Sequence, residues 1–100
     1  MADSDREKRW VDYLSEEDLA FIKRLVLASG SLKALAEEYD VSYPTVRRRL
    51  DRLIERVRIY DSRDYEDDFE RVARGLCADG KIDPATLARL LRAHRKEKEE

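Results

Sequence analysis

Apolar residues recur along this chain at helical spacing, never in the strict alternation of a half-buried strand. Within LSEEDLAFIKRLVLASG, Leu19, Ile22 and Val26 fall at i, i+3 and i+7 with Leu25 beside them. They predict one buried stripe on a first helix. Ser15 followed three residues later by Asp18 predicts a capping box with Asp in the usual place of Glu or Gln, and Glu16, Glu17 and Asp18 suit the positive helix end. Gly30 predicts a left-handed stop. Upstream, Trp10, Tyr13 and Leu14 are expected to dock on this helix, with residues 1–9 a flexible N-terminus.

Ser31 is the expected cap of a short second helix, LKALAEEY, whose Leu32, Leu35, Ala36 and Tyr39 share one face. After the break DVS, Ser42 caps a third helix over 43–57. Pro44 is tolerated there because a first-turn N–H has no helical partner. Val46, Leu50, Leu53 and Val57 recur at i, i+4, i+7 and i+11, a one-sided core stripe. The second half predicts a helical hairpin over 61–100. Tyr65, Phe69, Val72, Ala73 and Leu76 line its first helix, Asp79 and Gly80 make the turn, and Asp83 before Pro84 opens the second helix. Leu87, Leu90, Leu91 and His94 form the facing stripe, and the charged tail 95–100 reads as a frayed end. The expected fold is all-α: a three-helix core over 10–60 followed by the hairpin.

Composition narrows the function. In 100 residues, 42% apolar content is enough for a modest core and excludes the low-hydrophobicity disordered class. Charges interrupt every apolar run, so a soluble cytoplasmic protein is expected. Cys77 is the only cysteine, which excludes an intrachain disulfide and a cysteine zinc site and reads as a small core residue. His94 has no Ser, Cys or metal-ligand constellation around it, and no glycine-rich phosphate loop occurs. The expectation is a protein without metal or cofactor that is not an enzyme.

Charge carries the sharper signal. The chain nets −2, yet residues 41–60 hold six arginines against Asp51 and Glu55, and residues 61–70 net −5. At about 100° per residue, Thr45, Arg48 and Arg52 point away from Val46, with Arg47 and Arg49 on the flanks. A nearly single-signed face of arginine, whose planar fork matches phosphates and guanine edges, favours nucleic acid over plain solvation. Acids near a helix start suit the macrodipole, and Asp67–Arg71 and Glu70–Arg74 are ordered i,i+4 pairs. A rival reading makes the acidic run a DNA mimic that covers the arginines.

Two helices joined by a tight turn, the second basic at its exposed start, resemble the helix-turn-helix. In LKALAEEYDVSYPTVRRRLDRL, Ala36 is the small residue at the helix crossing, Asp40 stands where glycine is usual, Val41 is the apolar plug after the turn, and Val46 faces the core. The longer run from Trp10 to Val57 resembles an uncharacterised prokaryotic family of helix-turn-helix proteins regarded as transcriptional regulators, which commonly carry an N-terminal zinc ribbon. The ribbon's cysteines are absent here.

The resemblance implies double-stranded DNA as partner, with the third helix in the major groove. Tyr43, Thr45, Arg47 and Arg48 are expected at base edges and Arg49, Arg52 and Arg56 at phosphates, with Ser42 both capping and meeting a phosphate. A homodimer through 61–100 is expected, because dimers read two half-sites. The alternative, favoured by overall acidity, is a protein-interaction module with a helix-turn-helix fold.

Overall fold

The computed structural model describes residues 8–65 and 67–99. Over these residues the chain is all-helical. A 3-10 turn at Trp10–Tyr13 precedes α1 (Glu16–Leu27), α2 (Leu32–Tyr39), α3 (Tyr43–Asp61), α4 (Asp68–Ala78) and α5 (Pro84–Glu99). Residues 1–7 of the expected flexible N-terminus lie outside the described residues, as does Glu66 of the acidic run. The chain divides into two compact units, one ending at Ile54 and the other beginning at Glu55. The division falls inside α3, which contributes to both.

Local chemistry sets the helix ends. Ser15 and Asp18 make the full capping box: the Asp18 N–H donates to Ser15 Oγ and the Ser15 N–H donates to Asp18 Oδ2, each at 3.1 Å. Ser31 Oγ accepts from the Ala34 N–H at 3.1 Å, and Asp83 Oδ1 accepts from the Thr86 N–H at 2.6 Å. Each cap satisfies an N–H that the helix itself leaves open, worth about 1 kcal/mol. Gly30, with φ +81°, ends the α1 turn in the left-handed region, its N–H donating to the Leu25 carbonyl at 2.9 Å.

The core of the first unit centres on Phe21 and Leu35, both wholly buried, with Leu32, Ala36, Val46 and Leu53 around them. Burial of each large side chain contributes about 1.5–3 kcal/mol. This corrects the stripe expected on α1. Leu19 is 38% and Val26 68% exposed, while the buried face runs through Asp18 and Phe21, with Ile22 and Leu25 half-buried beside them. α1 has apolar residues on nearly every side, so two phases compete in the sequence. The structure takes the phase that buries Phe21, the largest apolar side chain of the helix, with Asp18 on the same face.

In the second unit, α4 and α5 pair as the expected hairpin. Ala73 and Leu91 are buried between them and Tyr60, from the last turn of α3, is buried as well. A Cβ at Gly75 would lie 2.5 Å from two ring carbons of Tyr60 and closer still to its hydroxyl. Glycine in a helix interior costs about 1 kcal/mol relative to alanine, and close approach of the Tyr60 ring accounts for it here. The expected apolar face of α4 shifts accordingly: Phe69, Val72 and Leu76 are each more than two-fifths exposed, and Glu70, Ala73 and Gly75 are the buried positions.

Three acids of the run, Asp67, Asp68 and Glu70, are engaged inside this unit. Asp67 caps α4 by accepting from the Glu70 N–H at 3.1 Å, and its Oδ2 lies 2.8 Å from His94 Nε2 and 3.1 Å from Lys98 Nζ. Glu70, almost wholly buried, accepts from Arg74 Nε at 2.8 Å and from the Arg95 guanidinium at 3.4 Å. The expected Glu70–Arg74 pair is present. Arg71, however, pairs with Asp68 at 3.7 Å, since Asp67 is turned toward α5. α5 stays helical through Glu99 because these contacts hold its last turns.

The hydrogen bond from His94, followed by the Glu70 N–H, holds the Asp67 carboxyl well below the usual carboxylate range. A depressed folded-state pKa adds stability that is present above the unfolded pKa of about 3.9 and is lost as pH falls toward the folded value. Asp67→Asn retains a capping oxygen but loses the charge. Its melting temperature is expected below that of the parent at pH 7, with the gap narrowing below about pH 4. Parallel melts at pH 7 and pH 3 with a constant gap would assign Asp67 no electrostatic role.

Candidate nucleic-acid interface

The interface begins at the turn between α2 and α3. Asp40 caps α2 in the left-handed conformation, φ 56° and ψ 48°, and the Val41 N–H closes the turn on the Ala36 carbonyl at 3.0 Å. Asp is one of the few non-glycine residues that visit this region readily, so the glycine usual at this turn is dispensable. Val41 corrects the expectation of an apolar plug: its backbone closes the turn while its side chain is 43% exposed.

Ser42 then caps α3. Its Oγ accepts from the Thr45 N–H at 3.3 Å and lies 2.8 Å from Thr45 Oγ1, tying two exposed hydroxyls together on the first turn. Tyr43 opens the helix with half its surface in solvent. α3 runs four residues beyond the expected end at 57. With Val46 and Leu53 buried, its phase is fixed, and the face opposite them is the one expected from the helical wheel.

The arginines divide by what they touch. Arg48 and Arg52 are exposed, with no ion pair, hydrogen bond or ring contact among the described residues. With Thr45 they stand at i, i+3 and i+7, a stripe about 10 Å long. Like charges at i,i+4 cost a few tenths of a kcal/mol, and nothing in the fold offsets that cost. Arg47 leans on Asp51, Nε to Oδ1 3.4 Å, across a pair whose side chains are both more than half exposed. Such a pair is worth a few tenths of a kcal/mol and opens readily.

Arg49 and Arg56 are engaged by the fold. The Arg49 guanidinium sits 4.8 Å from the centre of the Phe21 ring and 5.9 Å from that of Tyr39, and donates to the Glu17 carbonyl at 3.4 Å. It clamps α3 onto α1 and α2 through cation–π contact. Arg56 is a clear correction. It is 9% exposed, with Nε 3.5 Å from Asp79 Oδ1 at the C-terminal end of α4, so it cannot also lie along a phosphate backbone. The wheel held a hint, since Arg49 and Arg56 fall within about 80° of Val46. Their partners Phe21, Tyr39 and Asp79 lie far away in sequence. Those partners gave no signal in the pattern of residues 41–60.

Residues 14–59 match the model of a family described as Domain of unknown function (DUF2089)-HTH. Over that segment, just under half of the chain, the protein is similar to an uncharacterised helix-turn-helix family. No curated protein and no solved structure matches the chain.

Replacing Arg56 with Ala is expected to destabilise the protein by about 2 kcal/mol, through the lost ion pair with the part-buried Asp79 and the packing of its stem. Arg48→Ala is expected to stay within about 0.5 kcal/mol of the parent, as surface substitutions do. Urea unfolding of both variants checks this, and equal midpoints would contradict the division of the arginines.

Proposed function

We propose that the protein is a small DNA-binding transcriptional regulator, acting in the cytoplasm, that sets the start of α3 in the major groove. The observation that carries this reading is the exposed Thr45–Arg48–Arg52 stripe, whose two arginines have no partner among the described residues, on the second helix of a helix-turn-helix. Tyr43, Thr45, Arg47 and Arg48 are the candidates for base edges. Arg52 meets phosphate, and Ser42 does so at the positive end of α3. Arg49 contributes by holding the helix in place, and Arg56 is left out. No helix among the described residues is long and apolar enough to cross a membrane, in keeping with a protein that works in solution on a polyanion.

The finer reading is a homodimer through the hairpin. Phe69, Val72 and Leu76 stand at i, i+3 and i+7 on α4 and are each more than two-fifths exposed, a stripe that a second copy would cover. A second reading, a module that binds protein instead of DNA, is favoured by one observation: Val26 and Leu27, at the end of α1, are 68% and 74% exposed.

Fluorescence anisotropy with a random duplex over a salt series separates these readings. A dimer making roughly three or four phosphate contacts per subunit gives a log–log slope near −6, and a monomer one near −3. Arg52→Ala is expected to reduce the slope of each subunit by about 1. Arg48→Ala is expected to cost about 1–3 kcal/mol on a selected site and to relax preference at one base pair. Absence of duplex binding at low salt would reject the DNA reading in favour of the protein partner.

A further inference from the structure

The hairpin carries a second surface that the DNA reading does not use, an open groove of about 640 Å³ along α5. Its lining is sorted by chemistry. Pro84, Leu87, Ala88 and Leu91 supply an apolar floor over the first two turns of the helix. Arg92, Arg95 and Lys96 follow along the last turns, joined by Arg74 from α4. At 1.5 Å of rise per residue, the apolar part is about 10 Å long and the cationic part about 6 Å. The volume lies inside the range of about 300–1,000 Å³ typical of small-ligand sites.

The cations are in excess where they gather. Arg74 and Arg95 share one carboxylate, that of Glu70, at 2.8 and 3.4 Å. Arg92 and Lys96 are exposed and make no ion pair among the described residues. Among the described residues, Glu99 is the only acid in the lining. A nucleic-acid backbone would use the cations and leave the apolar floor empty. An uncharged apolar molecule would leave the cations unmatched.

From this sorting we infer that the groove binds a small anionic amphiphile, a medium-length alkyl or aryl-alkyl chain ending in a carboxylate or phosphate. The chain lies over Leu87 and Ala88 toward Pro84. The head group sits among Arg92, Arg95 and Lys96, and it competes with Glu70 for Arg74 and Arg95. Two guanidiniums accommodate a carboxylate or a phosphate in the same bidentate manner, so the two head groups belong to one ligand class. The site stands independently of whether α3 binds DNA.

Titration calorimetry on the whole protein tests this, with decanoate and decyl phosphate as anionic probes below their micellar concentrations. Decyltrimethylammonium is the cationic control. Saturable one-to-one binding of at least one anion is expected, with at least tenfold weaker binding of the cation. The double variant Arg92→Glu/Lys96→Glu, altered only at exposed positions, is expected to weaken anion binding at least tenfold with unchanged circular dichroism. Ala88→Trp, which fills the apolar end, is expected to weaken it as well. Decanoate and decyl phosphate distinguish the head group: preference for one names the source. No saturable binding of either anion, equal binding of the cation, or an unaffected double variant would overturn the site. Binding of an acidic amphipathic peptide but of neither anion would overturn it in favour of a protein partner.

Discussion

The direction of α3 is set at one residue. Asp40 adopts the left-handed conformation between α2 and α3, and the turn closes on the backbone of Ala36 and Val41. That geometry, with the Ser42 cap two residues later, fixes where the first turn of α3 begins. Once Val46 and Leu53 are turned inward, Thr45, Arg48 and Arg52 have to face out. A β-branched residue at position 40 would resist that backbone, so the exposed arginine face depends on a conformation made two turns before it. Helix phase and surface chemistry are here a single constraint.

The same phase explains why residues of one type serve different ends. Arg48 and Arg52 lie opposite the buried stripe. Arg49 and Arg56 lie beside it, where aromatic rings and a carboxylate receive them. Arginine suits both positions, because its stem packs and its head stacks or forks. The charge asymmetry of the sequence therefore has two causes. In the second unit, Asp67, Asp68 and Glu70 are matched by His94, Lys98, Arg71, Arg74 and Arg95. Asp67 and Glu70 reach α5 and hold the hairpin together while Asp68 pairs within α4, which removes the need to treat these three as a DNA mimic. The arginine face of α3 has no such local account, and that difference gives it functional weight.

Features governed by local chemistry were legible in the sequence. The caps at Ser15, Ser31, Ser42 and Asp83 depend on three or four neighbouring residues, as does the turn at Asp40. The all-helical order, the α2 face and the Val46–Leu53 stripe followed from periodicity alone. Features that depend on distant partners were not legible. The face of α1 was ambiguous because Leu19, Phe21, Ile22, Leu25 and Val26 surround the helix, and burial of Phe21 against distant partners chose among them. Arg56 was misplaced because Asp79 lies 23 positions later. Gly75 showed no sequence pattern, since its reason is the Tyr60 ring. The candidate site was therefore legible as a helix face, and its membership was not.

The central claim is that, among the arginines of α3, Arg48 and Arg52 meet a ligand while Arg49 and Arg56 serve the fold. Guanidinium resonances of the labelled protein, followed by NMR during titration with a random DNA duplex, report on each arginine separately. The account predicts that the Nε–H signals of Arg48 and Arg52 move with added duplex while those of Arg49 and Arg56 remain in place. Movement of Arg49 and Arg56 with Arg48 and Arg52 unmoved would contradict it.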